Sequence, residues 1–210
     1  LHSFYDALNG HSEDIKKDKL DFIISSHDSL TQLLDDYAAL ERVADFKTLN
    51  GNLLSILNRS LKTDPYNFLA YICLIDLLEY KKEHYYSEKL ETKFIARLND
   101  KIQSSAFNSD DSRLLAEIIY FLMDHVYYGQ PHTADRIRFL KRLFAKWESM
   151  FTWDANHSEI LPFYADFYLE WACFLRKQDG DEQGVNVFKK IESILKKEIQ
   201  DNETDEDLWL

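Results

Sequence analysis

The chain has 210 residues, 45% of them hydrophobic and 14% aromatic, which is enough to bury a substantial core. Five glycines and three prolines are too few for the frequent tight turns of a β-sandwich or barrel, so the composition favours an all-α fold. The formal net charge of -12 disfavours direct binding of nucleic acid or of anionic membranes. The longest apolar run, residues 68–75, is far shorter than the about 20 residues that a membrane-spanning helix needs.

The first predicted helical pair ends at a proline. Asp28 is expected to cap the first helix, because its carboxylate can accept hydrogen bonds from the first amides. The apolar stripe of this helix consists of Leu30, Leu33, Leu34, Tyr37 and Ala38. The stripe of the second helix consists of Leu53, Leu54, Leu57 and Leu61. Pro65 predicts the end of that helix, since the residue before a proline favours extended backbone.

The middle of the chain predicts a further pair and then a single strongly apolar helix. The pair covers about residues 66–80 and 84–102, and a polar segment, 106–113, follows it. The apolar face of the next helix consists of Leu114, Leu115, Ile118, Ile119, Leu122, Met123 and Val126. Gly129 predicts the end of this helix, and Pro131 predicts that the next helix begins shortly after it.

Three more helices are predicted before an acidic C-terminus. Thr133 can cap the first, the second starts near Ser158 with Pro162 in its first turn, and the third starts near Asp181. The stripe of the last helix includes Val185, Phe188, Ile191, Ile194 and Leu195. About ten antiparallel helices are therefore expected, forming one domain over residues 1–200 with an acidic tail at 201–210.

Residues 168–191 combine bulky and small side chains, with Tyr168, Trp171, Ala172 and Leu175 on one predicted helix and Gly184 and Phe188 on the next. This pattern resembles a tetratricopeptide (TPR) or half-a-tetratricopeptide (HAT) repeat. Small residues at a helix crossing allow close approach, while aromatic side chains fill the space beside it. A second segment, Tyr37–Pro65, is similar but departs from the pattern at Glu41 and Leu53, where small residues are usual.

The resemblance implies antiparallel hairpins stacked as a right-handed superhelix; an irregular helical bundle is the alternative. It also implies a non-catalytic scaffold that binds protein partners inside eukaryotic cells, in the nucleus or cytoplasm, in RNA processing or ribosome assembly. The charge of -12 supports a different hypothesis, in which the chain is an acidic escort for a basic client such as a ribosomal protein or a histone.

The sequence gives no positive signal for catalysis, for a cofactor or for a metal. It contains no phosphate-binding glycine loop, zinc-ligand helix motif or nucleophile elbow. His84, Glu88 and Glu91 share a helical spacing, but a solvated face is the ordinary interpretation. Cys73 and Cys173 lie in apolar helical runs and are expected to be free buried thiols, with a disulfide between them left open.

Three segments are candidates for binding a protein partner. The first is the loop 125–133 with Tyr127 and Tyr128; the second is a basic helix with Arg136, Arg138, Lys141 and Arg142; the third is the C-terminal Leu208, Trp209 and Leu210. Tyrosine rings suit the wet margins of interfaces, and a terminal tryptophan beside carboxylates can dock in a groove with a basic rim. For the basic helix and for the tail, a solvated surface is the competing interpretation.

Overall fold

The computed structural model describes residues 1–9, 17–40, 42–81, 83–104, 107, 111–128, 134–150 and 161–201. Within these ranges the chain is helical and contains no strand, which confirms the predicted all-α class. The helices are α1 (His2–Asn9), α2 (Lys17–Ala39), α3 (Val43–Thr63), α4 (Phe68–Tyr80), α5 (His84–Gln103), α6 (Ser112–Tyr128), α7 (Ala134–Met150), α8 (Leu161–Asp179) and α9 (Asp181–Asp201). None of the described helices combines the length and the apolar character needed to cross a membrane.

The chain divides into two compact units, Leu1–Leu114 and Leu115–Leu210, here called the first and second unit. In the first unit, α1 packs against α2 and α3, and each later helix packs against its successor up to α5. The single domain over residues 1–200 and the separate tail at 201–210 stay predictions.

The first helical pair differs from the prediction at its start. Asp28 lies inside α2 rather than at its N-cap, so that prediction is wrong. The reason is that the buried residues Leu20, Ile23 and Leu34 lie before and after Asp28 on one continuous helix, in which Asp28 is exposed. Leu33 and Ala38, predicted in the apolar stripe, are also exposed. The other end is as predicted, because α3 stops at Thr63 and Asp64 takes extended backbone before Pro65.

Helix α4 is the most enclosed element of the first unit. Its buried residues are Phe68, Leu69, Ala70, Tyr71, Cys73, Leu74, Ile75, Leu77 and Leu78. Asn67 caps the helix by accepting a hydrogen bond from the Ala70 amide, and its own amide group donates to the Leu8 carbonyl at 2.8 Å. One side chain therefore forms hydrogen bonds with a backbone amide at the start of α4 and with a backbone carbonyl at the end of α1.

The second unit has an aromatic core between α7 and α8. Phe144 and Trp171 stack with ring centroids 4.3 Å apart and planes 8° apart. Trp147 meets Phe167 edge to face at 4.8 Å, and all four rings are buried. Trp171 is consequently part of the packing between two helices, since its side chain is buried.

Two glycines shape the hairpin of α8 and α9. Gly180, between the helices, has φ +91°, a conformation that glycine adopts without strain. A Cβ atom at Gly184 would lie 2.8 Å from the Ala172 carbonyl oxygen and 2.9 Å from the Arg176 Cβ. The two helices can therefore approach this closely because residue 184 has no side chain.

Gly184→Ala is expected to lower the free energy of unfolding of the second unit by about 1–3 kcal/mol, because the added methyl group must push the α8 backbone away. Chemical denaturation followed by tryptophan fluorescence measures this, since the buried Trp147 and Trp171 lie in the second unit. The control is Gly51→Ala on the exposed side of α3, where an added Cβ meets nothing within 4 Å. There we expect a gain of about 0.5–1 kcal/mol, measured by circular dichroism, and a loss at both positions would contradict the argument.

Two predictions about α8 and α9 are wrong. Cys173 is exposed rather than buried, because it lies one turn from the exposed Leu169 on the outer side of α8. Val185 is also exposed, although it fits the apolar spacing of α9. Cys73 is buried as predicted, and both thiols are free, which removes the disulfide alternative.

Candidate interaction groove

Three helices of the first unit enclose a groove of about 400 Å³. It is lined by Leu54 and Asn58 of α3, Leu74 and Leu78 of α4, Glu83, and Tyr86, Lys89, Leu90 and Lys93 of α5, and we call it the α4 groove. On α3 and on α4 the two lining residues are four positions apart, which places them on one face of the helix. On α5, Lys89 and Leu90 are adjacent, and Tyr86 and Lys93 lie about one turn before and after them. The groove therefore runs over about two helical turns.

The floor of the α4 groove is apolar. Leu74 and Leu78 are buried by the packing of α4, whereas Leu54 and Leu90 are only half-buried on the flanking helices. Four leucines thus form a continuous apolar lining, and its two flanking members are accessible to a ligand. Burying such surface is favourable by about 25 cal/mol per Å².

One tyrosine of α5, Tyr86, lines the groove, and Tyr85 precedes it on the same helix. Tyr85 is 71% exposed and Tyr86 is 60% exposed, and their rings contact edge to face at 5.4 Å. Both values are high for large aromatic side chains, which lose solvent contact when a partner covers them. Tyrosine is enriched at protein interfaces because its ring is apolar and its hydroxyl group remains hydrated.

The rim of the α4 groove carries a net positive charge. Lys89 and Lys93 are exposed and one turn apart on α5. Glu83 is the one acidic lining residue, and it forms an ion pair with Lys81 at 2.6 Å. The groove is therefore locally basic in a chain whose formal charge is -12.

The end of the groove where α4 meets α5 is fixed by hydrogen bonds. The Glu83 amide donates to the Leu78 carbonyl at 2.9 Å. The buried Ser87 hydroxyl donates to a Glu79 carboxylate oxygen at 3.1 Å. The turn between α4 and α5 is therefore ordered before a ligand binds, which lowers the conformational entropy lost on binding.

A second feature of the first unit is a buried histidine between α2 and α4. The His27 Nε2 atom lies 3.6 Å from an Asp76 carboxylate oxygen, while Nδ1 has no hydrogen-bond partner among the described residues. Burial favours the neutral imidazole, but the neighbouring Cys73 and Asp76 of α4 outweigh this effect and raise the pKa of His27 to about 10. The raised pKa favours the imidazolium form of His27 beside Asp76, which joins α2 to α4.

The partner segments suggested by the sequence are only partly within the described residues. Residues 125–128 belong to α6, so the prediction of a loop over 125–133 is wrong for this part, and the side chains of Tyr127 and Tyr128 lie outside the described set. Leu208, Trp209 and Leu210 lie outside the described residues altogether. The four basic residues are in α7 with Arg138 and Arg142 exposed and Arg136 and Lys141 partly exposed. Their roles in binding stay predictions.

Local contacts occupy two of these α7 arginines. Arg138 forms an ion pair with Asp135 and also donates to the Ala134 carbonyl at 3.3 Å. The Arg142 guanidinium lies 5.7 Å from the centre of the Phe139 ring. The basic helix therefore offers less available charge than its sequence indicates.

The helical spacing of His84, Glu88 and Glu91 on α5 does not produce a set of metal ligands. Glu91 is buried, whereas His84 and Glu88 are exposed. Throughout the described ranges, no group of three or more His, Cys, Asp and Glu side chains is placed to hold a metal ion.

Sequence reasoning missed the α4 groove because no single segment contains it. The one local signal is in α5, where the adjacent Tyr85 and Tyr86 precede two pairs of a basic and an apolar residue, 89–90 and 93–94. Comparisons of the chain with protein-family models, with curated proteins and with solved structures give no match. The basis for a function is therefore the helical fold together with this groove.

Proposed function

We propose that the chain is a non-catalytic scaffold that binds a protein partner through the α4 groove. The observation that carries the proposal is the groove itself, in which four leucines are flanked by exposed tyrosine and lysine side chains. Apolar and aromatic side chains supply the contact area that a protein partner can bury, and the charged side chains around them orient that partner.

The proposal includes the arrangement of the hairpins as a TPR/HAT-like right-handed superhelix. The successive packing of α1 to α5 supports it, as does the close crossing of α8 and α9 at Gly184. An intracellular complex, and RNA processing or ribosome assembly as the pathway, are predictions that rest on the resemblance alone.

Site-specific photo-crosslinking tests the proposal. A benzophenone amino acid is placed at Tyr86 of the full chain, which is expressed in the cells that make the protein naturally. We expect discrete protein adducts after irradiation, because Tyr86 is exposed and lines the groove.

The matched control carries the same amino acid at Lys62, an exposed position of α3 outside the groove lining. It is expected to lack those adducts. An absence of adducts at position 86, or the same adducts at both positions, would contradict binding through the groove.

A further inference from the structure

We infer that the α4 groove binds an amphipathic helix of the partner that carries Asp or Glu beside its apolar side chains. The inference rests on the proposed function and specifies the chemistry of the partner. It follows from the juxtaposition of a leucine floor on α4 with a lysine rim on α5.

The backbone of the first unit favours a helical ligand over an extended one. The groove is formed by helices, whose interior amide and carbonyl groups are already paired with each other. An extended peptide would find no strand edge to receive its own amides and carbonyls. A helix satisfies those groups internally and presents only side chains, so it loses no backbone hydrogen bond on entry.

The spacing of the leucines suits such a helix. Leu74 and Leu78 are four residues apart on α4, and Leu54 and Leu90 face them from α3 and α5. Apolar side chains at i, i+3 or i+4, and i+7 of a ligand helix recur at about the same interval of 5–6 Å. A volume of about 400 Å³ lies at the lower end of the range of ligand pockets, about 300–1,000 Å³, so it accommodates a few side chains while the ligand backbone stays outside.

The charge on the rim determines which residues accompany those apolar side chains. Lys89 and Lys93 flank Leu90, and neither forms an ion pair with another described residue. The acidic Glu83 is compensated by Lys81. Because Coulomb attraction between exposed charges extends about 8 Å at physiological salt, the carboxylates of the partner must lie directly beside its apolar face.

Fluorescence anisotropy with two labelled peptides tests this inference on the full chain. Each peptide has about four helical turns and leucines at i, i+3, i+4 and i+7. One carries Glu at the flanking positions and its twin carries Lys there. We expect the Glu peptide to bind about tenfold more tightly than the Lys twin, and the double variant K89E/K93E to reverse that preference.

The control for charge is K47E/K62E, which changes the net charge equally at exposed positions of α3 outside the groove lining. It should keep the preference for the Glu peptide. All four lysines are exposed, and circular dichroism verifies that each variant keeps its helical content.

The outcomes separate the inference from the proposed function. Equal binding of the two peptides, abolished for both by Tyr86→Asp, overturns the acidic specificity and leaves the groove as a binding site. Absence of binding by either peptide, with adducts still formed from position 86, overturns the helical acidic partner but not the scaffold. Absence of both peptide binding and adducts overturns both.

Discussion

Trp171→Ala is expected to lower the free energy of unfolding of the second unit by about 3–5 kcal/mol. The Trp171 ring is only 2% exposed and is stacked between Phe144 at 4.3 Å and Phe174 at 5.1 Å. Its removal leaves a cavity that two neighbouring rings cannot fill without moving. Chemical denaturation monitored by the fluorescence of the remaining tryptophans measures the loss.

Two further variants show whether packing is the cause. Trp171→Phe retains a stacked ring and is expected to recover part of the lost stability. Leu169→Ala changes a 41% exposed side chain two residues away, where a loss of about 0.5 kcal/mol or less is expected. Similar losses for Trp171→Ala and Leu169→Ala would contradict a core role for Trp171.

The stability of the first unit is expected to fall at alkaline pH through His27. Its pKa is raised from the ordinary value of 6.5 to about 10 in the folded protein, so the folded state holds a proton that the unfolded chain releases. The contribution of His27 to the free energy of unfolding is fully present below about pH 6.5 and is lost as the pH rises through about 10. Between pH 7 and 9, a range that lies inside this window, this group alone should remove about 2–3 kcal/mol, given about 1.4 kcal/mol for each pH unit.

Urea denaturation followed by circular dichroism, at several pH values between 6 and 10, tests this expectation against His27→Gln. The wild-type chain should be the more stable at pH 6–7, and the difference should shrink as the pH rises. Asp76→Asn should weaken the same pH dependence, because it removes a carboxylate that favours the imidazolium. A difference between wild type and His27→Gln that stays constant or grows with pH would refute the charged His27.

Much of the helical core could be predicted from apolar periodicity. In α6, Leu114, Leu115, Ile118 and Ile119 were predicted on one face and are buried. The predicted stop of α3 at Pro65 is also found, because proline restricts the residue before it regardless of tertiary context. Apolar periodicity and the steric effect of proline are local properties of the chain, so both can be identified from a single sequence.

Properties that depend on neighbouring helices could not be predicted in this way. Cys173 and Val185 fit apolar patterns, yet they are exposed. Which side of a helix becomes buried depends on where the neighbouring helix packs. The α4 groove likewise needs three helices from different parts of the sequence. Its floor at Leu74 and Leu78 is indistinguishable in sequence from the rest of the apolar α4.

The double role of Asn67 has a consequence for shortened versions of the chain. Its side chain joins the Leu8 carbonyl to the first turn of α4, across 59 positions of sequence. Trimming the N-terminus back to Lys17 would leave that amide without its acceptor and would uncover the side of α3 on which α1 rests. A deletion that touches no lining residue would thus still disturb the helix that supports the binding surface.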